Sequence, residues 1–302
     1  MSPDTALSTL NLKVLSLPIE ITTNHTPFLR EFCDLTSALL YHANGEPPAV
    51  RFGVIRKRRY THIEREGRTI YRLDRDYQLC PFLIEEIRVS CYDHVRDHLL
   101  LHAGVVVKNG RAILLPGQSG SGKTTLTLGL MNYGYKYLTD EVGAIHHETV
   151  EVVPFQRPIY VWTWSRPLRQ EVEKDFRVYR YRDRDNATTW RWQYIVPQDG
   201  AVMSRDSRWK VDYIIFPRYT PKGKVVLRPL SAAKAVMALM QRGWNHRLFA
   251  DGGLRICTEL VRGARCYTLG MGDLEEACEL VEGLVGKDVF RQSVTRPVSS
   301  KG

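Results

Sequence analysis

The segment Gly117-Gln118-Ser119-Gly120-Ser121-Gly122-Lys123-Thr124 meets the pattern G-x-x-x-x-G-K-[ST] at every fixed position. These residue types suit a polyphosphate. The glycines Gly117, Gly120 and Gly122 let backbone N–H groups turn inward where a Cβ would obstruct them. Lys123 supplies a cation for the β- and γ-phosphates, and the Thr124 hydroxyl is placed for Mg²⁺. Ser119, Ser121 and Thr125 complete the loop's expected nucleotide contacts. The expected cofactors are therefore ATP and Mg²⁺.

Two further positions stand at fixed distances from Lys123. His102 precedes it by 21 residues and Asp140 follows it by 17, with Glu141 next. A carboxylate at a phosphate loop takes the proton of an attacking hydroxyl or holds Mg²⁺. A histidine beside it orients the carboxylate or shares its proton. Asp140, His102 and Lys123 are thus the candidate catalytic residues. Thr124 is a candidate metal ligand, and the Asp140-Glu141 pair is read as serving catalysis or Mg²⁺. Arg157, soon after the acidic pair, is the arginine expected to clamp phosphate.

The flanking elements agree with this placement. Arg111 to Pro116 reads as a buried strand entering the loop, and Thr125 to Asn132 as the helix leaving it. That helix points its positive N-terminal end at the phosphates. Gly104–Val107 and Ala112–Leu115 flank Asn109-Gly110, a tight-hairpin signal. A hairpin feeding a phosphate loop departs from the usual parallel crossover. Tyr135 to Leu138 reads as a strand ending at Asp140-Glu141. Further strands are expected at Gly143–Ile145, Val150–Val153, Val211–Pro217, Val225–Leu227 and Ala264–Leu269. Helices are expected from Ser231 to about Gln241, from Gly253 to Val261, and from Asp273 to about Leu284, the last with an Asp cap.

Upstream, Val50–Val54 and Thr69–Leu73 have strand character around the basic run Arg56-Lys57-Arg58-Arg59, read as a solvated hairpin or an acidic-partner site. Pro81 to His98 reads as a helix with Leu83, Ile87, Cys91 and Val95 on one face. His146-His147 reads as an exposed strand end rather than a metal pair.

Residues 156–210 stand apart. They hold five of the six tryptophans (Trp162, Trp164, Trp190, Trp192, Trp209) and many arginines, with little clean periodicity. An elaborated loop or lid is expected. Three readings compete: core packing with solvated arginines, a groove for a peptide with a carboxylate end, and, ranked last, single-stranded nucleic acid.

The chain has 302 residues and a net charge of +10, which implies affinity for anions without choosing among them. No segment approaches the roughly 18 apolar residues of a membrane span. The N-terminus lacks the order of a secretory signal. Six scattered cysteines without a C-x-x-C pair read as reduced thiols, so a cytoplasmic location is expected.

Leu101-His102-Ala103-Gly104-Val105-Val106, the phosphate loop, and Tyr137-Leu138-Thr139-Asp140-Glu141 together resemble the kinase domain of HPr kinase/phosphorylase. The shorter HPr kinase-related proteins are closer still, with Phe216-Pro217-Arg218-Tyr219 and Leu227-Arg228-Pro229-Leu230-Ser231 also similar. The resemblance covers about residues 80–285. It implies an α/β fold: a P-loop kinase domain of the HPr kinase/phosphoenolpyruvate carboxykinase type with a mixed sheet. That domain is expected at 81–290, with the 156–210 insertion, after a small N-terminal α+β unit at 1–80; the polar composition from Arg291 predicts a disordered tail at 291–302. The resemblance implies ATP-dependent phosphorylation of a serine hydroxyl, with Asp140 as base, His102 supporting it and Glu141 near Mg²⁺. This chain lacks the family's downstream Glu-x-Arg-Gly-type signature, and its 156–210 stretch is not what the HPr enzyme carries there. HPr as acceptor and the reverse phosphorylase reaction are therefore not implied. Related kinases modify the C-terminal serine of precursor peptides such as lasso peptides; others act on free serine. The resembling enzyme forms hexamers, which leaves a homo-oligomer open for this chain. A non-catalytic nucleotide switch or ATPase is the competing class.

Overall fold

The computed structural model describes residues 6–36, 45–155, 157–161, 176–182, 191–197, 201–204 and 206–295. The first sheet holds β1 (Ser8–Val14), β2 (Leu17–Thr23), β3 (Val50–Lys57), β4 (Tyr60–Arg65) and β5 (Arg68–Leu73), with α1 (Thr26–Leu35) between β2 and β3. Then follow α2 (Leu79–His94), β6 (His98–Lys108), β7 (Arg111–Pro116), α3 (Lys123–Asn132), β8 (Lys136–Thr139), β9 (Val142–His146) and β10 (Val152–Val153). A small sheet carries β11 (Ile159–Val161), β12 (Phe176–Arg182) and β13 (Arg191–Pro197). The chain closes with β14 (Val211–Tyr219), β15 (Val226–Pro229), α4 (Ala232–Met240), α5 (Leu254–Gly263), β16 (Arg265–Met271) and α6 (Leu274–Thr295).

The central sheet runs β10-β9-β6-β7-β14-β16-β15, with β8 also on β6. It is mixed: β7, β14 and β16 are parallel neighbours, while β6–β7 and β15–β16 are antiparallel. β6 is buried on both faces, which explains its nearly unbroken apolar run. Leu99, Leu101, Ala103, Val105 and Val107 share one core with α4 and α5. Val106 shares another with Leu126 and Leu130 of α3 and with Ala277, Cys278 and Val281 of α6. The result is an α/β/α sandwich.

Several expectations hold in detail. Asn109 and Gly110 take φ of 51° and 74° and turn β6 into β7 with Lys108 opposite Arg111. Asp273 caps α6, its Oδ1 accepting from the Glu276 N–H at 3.0 Å. Leu83, Ile87, Cys91 and Val95 are all buried. The basic run forms the β3–β4 turn, with Arg58 at φ 51°.

Other expectations need correction. α2 ends at His94, not His98: Val95 goes extended, and the buried Asn245 side chain holds the Val95 and His98 carbonyls. β1, β2 and β4 are strands beyond those expected, although Leu10, Leu12 and Val14, then Leu17, Ile19 and Ile21, alternate with period two. The described parts of 156–210 are not irregular: β11, β13 and β12 pair antiparallel over buried Ile159, Phe176 and Ile195. Of the tryptophans there, Trp162, Trp164 and Trp190 lie outside the described residues. α6 runs to Thr295, past Leu284 and into the tail expected from Arg291; residues 296–302 lie outside the described residues. One hydrophobic core also joins the first sheet and α1 to α2, Leu100, Val142 and Ala144, across the boundary expected near residue 80.

Gly104 shows how closely α3 approaches β6. A Cβ there would stand 2.6 Å from Thr127 Oγ1, with its next neighbour, the Thr139 carbonyl, at 3.6 Å. Gly104→Ala is expected to destabilise the protein by about 1–3 kcal/mol through overpacking. Adding Thr127→Ala removes the obstructing oxygen and should restore most of the loss in urea unfolding. Equal costs for the single and double variants would contradict this contact.

Candidate active site

The backbone of His102 is where the site's elements meet. Its carbonyl accepts from the Gly117 N–H at 3.1 Å, fixing the start of the phosphate loop. Its own N–H donates to the Arg242 carbonyl at 2.8 Å. The next N–H, on Ala103, donates to the Glu141 carbonyl at 3.0 Å. β6 therefore places the loop and the acidic corner side by side. That corner is tied by Thr139 Oγ1, which accepts from the N–H groups of Glu141 and Val142 at 3.3 and 3.1 Å.

The loop has the shape its glycines allow. Gly120 and Gly122 take φ of 78° and 93°, a region costly for other residues. A Cβ on Gly117 would lie 2.3 Å from Ser121 Oγ and 3.2 Å from Lys123 Cγ. Lys123, 5% exposed, donates to the Gln118 carbonyl at 3.0 Å. Burial pushes its ammonium pKa down, against the pull of Glu141 and Asp140. Ser121 Oγ is buried without a hydrogen-bond partner. Ser119 and Thr125 also line the cavity described below.

Asp140 is 1% exposed. Tyr137 donates its hydroxyl to Oδ1 and Thr124 donates its own to Oδ2, each at 3.0 Å. Arg157 Nε stands 3.6 Å from Oδ1. Burial pushes the Asp140 carboxyl up; Arg157 opposes this and Glu141 adds to it. Glu141 behaves oppositely. Burial would raise it, but the His102 hydrogen bond and the charges of Arg157 and Lys123 hold it at about 2. His102 Nε2 lies 3.2 Å from Glu141 Oε1, and Arg157 Nη2 lies 3.6 Å from Oε2.

All the expected residues therefore converge except in two particulars. The side-chain partner of His102 is Glu141 rather than Asp140, because Asp140 turns inward to Tyr137. Arg157, expected as a phosphate clamp, stands between the two carboxylates, 3.6 Å from an oxygen of each. Two contributors were not anticipated. Tyr137 sits three residues before Asp140. Trp244 stacks on the His102 ring at 4.6 Å between centroids and 26° between planes. It is the single tryptophan outside 156–210, which is the one signal the sequence offered. Asn245, fully buried, fixes its position: Oδ1 accepts from the Leu100 N–H, and Nδ2 donates to the Val95 and His98 carbonyls.

The residues fit Mg²⁺ and a polyphosphate. The Thr124 hydroxyl gives its proton to Asp140, which leaves its lone pairs for a cation. Two carboxylates stand beside it, and the buried, unpartnered Ser121 Oγ faces a loop whose amides need an anion. A cavity of about 940 Å³ opens over Lys123, Asp140, Glu141 and Arg157 and extends to Phe82 and Arg88 of α2. This is large for one small ligand.

No protein-family model matches the chain, and no curated protein does. Among solved structures, the chain is similar to the HPr(Ser) kinase/phosphatase from Coxiella burnetii, at 14% identity over 64% of this chain and 98% of that one, with a TM-score of 0.31. Similarity at that level decides neither fold nor function. Among the described residues no helix is long and apolar enough to cross a membrane.

Two outcomes follow from this geometry. Lys123→Ala should abolish the rise in melting temperature caused by Mg²⁺–ATP; an unchanged rise would remove the phosphate-loop assignment. Glu141, lowered from 4.5 to about 2, contributes stability that is fully present above about pH 4.5 and is lost as pH falls toward 2. Glu141→Gln should thus be less stable than wild type at neutral pH, and the gap should close in acid. A gap constant from pH 7 to pH 2 would contradict the ionic role.

Proposed function

We propose that the protein is an ATP-dependent phosphotransferase of the HPr kinase type. It transfers the γ-phosphoryl group to a serine hydroxyl, at the C-terminus of a peptide. The observation that carries this reading is Asp140: a fully buried carboxylate with a raised pKa, beside a complete phosphate loop and facing a cavity with room for an acceptor.

Mg²⁺–ATP, when bound, supplies an electrophilic phosphorus and charge neutralisation at its oxygens. Lys123 and the loop amides would hold the nucleotide's phosphates. Thr124 and Glu141 would hold the metal. Asp140 takes the acceptor's hydroxyl proton, and its elevated proton affinity suits that task. Tyr137 and Arg157 keep its oxygens in place during the transfer. His102, braced by Trp244, orients Glu141. Arg157 stays charged throughout: burial works against its charge, and the Asp140 and Glu141 carboxylates beside it outweigh that. A serine side chain presented in line over Asp140 needs little more than positioning to react.

Asp140→Asn is the direct test. It should keep Mg²⁺–ATP-dependent stabilisation while transfer to a serine-ended peptide, read by mass spectrometry, falls by roughly 10²–10⁴-fold, the usual effect of losing a general base. Near-native transfer by this variant would move Asp140 out of the base role.

A further inference from the structure

The cavity reaches well beyond the loop and the acidic corner. Among its described lining residues, three carry a permanent or near-permanent positive charge: Lys123, Arg157 and Arg88. Lys123 belongs to the phosphate loop. Arg157 is taken up by Asp140 and Glu141. Arg88, on α2, is tied to neither.

Resting on the kinase reading above, we infer that Arg88 is the subsite for the acceptor's carboxylate. The protein already displays a carboxylate there. Arg88 Nε donates to Glu85 Oε2 at 2.8 Å, and Nη2 donates to Glu85 Oε1. Two parallel N–H groups on two oxygens of one carboxylate is the fork arrangement for which arginine is suited. Glu85 stands in for an incoming ligand.

The two partners are held very differently. The Glu85 side chain is 50% exposed, that of Arg88 only 17%. A pair one helical turn apart with an exposed member is weakly held, so Glu85 can swing to solvent at small cost. Arg88 cannot follow it. Its guanidinium lies over the Trp244 ring at 5.0 Å and the Tyr92 ring at 5.1 Å, and Nη1 donates to the Tyr92 hydroxyl. The fork is therefore built in advance and its present occupant is removable.

Its distance from the chemistry is also set. The same Trp244 ring that carries Arg88 stacks on His102, which holds Glu141. One aromatic plate thus spaces the carboxylate fork from the acidic corner. Tyr71, Phe82 and Tyr160 line the same cavity. Serine with a free carboxyl end carries the two groups this cavity would take, a carboxylate for the fork and a hydroxyl for the acidic corner. That chemistry has two sources, a peptide's last residue and free serine.

The test uses small acceptors that separate these features. N-acetylserine carries the carboxylate and an amide like a peptide end. N-acetylserinamide lacks the carboxylate, and serine adds an ammonium group. The wild-type ratio of kcat/KM for N-acetylserine over its amide should be at least tenfold. In Arg88→Met that ratio should collapse toward one, with Mg²⁺–ATP still raising the melting temperature as evidence of folding. Preference for N-acetylserine over serine assigns the fork to a peptide end, and the reverse assigns it to a free amino acid. A wild-type ratio near one, or a ratio unchanged by Arg88→Met, overturns the inference. Calorimetric binding of N-acetylalanine and its amide asks the same question without turnover. Wild type should bind the acid at least tenfold more tightly and Arg88→Met should not. This arm stands even if the kinase reading fails, and equal binding of acid and amide by wild type overturns the subsite.

Discussion

A carboxylate buried to 1% exposure takes its partners from the protein. Asp140 is such a group, and the active region is organised around it. Tyr137 and Thr124 each donate a hydroxyl proton to it, and Arg157 supplies the opposite charge. Removing one partner from a buried charge typically costs about 3–5 kcal/mol, so the arrangement is held together by necessity as much as by packing. Each partner also ties in a different element. Thr124 opens α3 beside the phosphate loop, Tyr137 lies on β8, and Arg157 leads into β11.

The second constraint is the strand that carries His102. β6 is paired at both ends and buried on both faces, so its backbone is a rigid reference. Three segments distant in sequence, the phosphate loop, the acidic corner and the turn holding Trp244, read their positions from His102 and its neighbours by backbone hydrogen bonds. Gly104 permits α3 to close against this strand. His102 thus stands within a core strand, Asp140 directly after one and Lys123 at the start of α3.

The features legible in the sequence were those whose physics is local. The phosphate loop follows from glycine conformation within eight residues, the Asn109-Gly110 hairpin from two positive φ angles, and the α6 cap from one Asp three residues before its target N–H. The spacing of His102, Lys123 and Asp140 was legible through the family resemblance; His102 lies within β6, Lys123 opens α3 and Asp140 directly follows β8. What escaped were contacts between segments far apart. Trp244 meets His102, and Asn245 reaches Leu100 across 145 positions. No periodicity marks such a contact. Arg88 reads in sequence as one more charge on an amphipathic helix, and only packing against Trp244 sets it apart. The strands of 156–210 were obscured by alternating arginine and aromatic residues, whose long side chains suit a strand as well as a loop.

The central claim is that Asp140 faces the site of phosphoryl transfer. It is tested most directly by a crystal structure with Mn²⁺ and a non-hydrolysable ATP analogue, with the metal located by its anomalous scattering. The account predicts Mn²⁺ on Thr124 Oγ1 with a Glu141 oxygen, and the γ-phosphate within hydrogen-bond reach of Lys123 Nζ, its open face toward Asp140 and the cavity under Arg88. A triphosphate bound elsewhere, or a γ-phosphate directed away from Asp140, would contradict it.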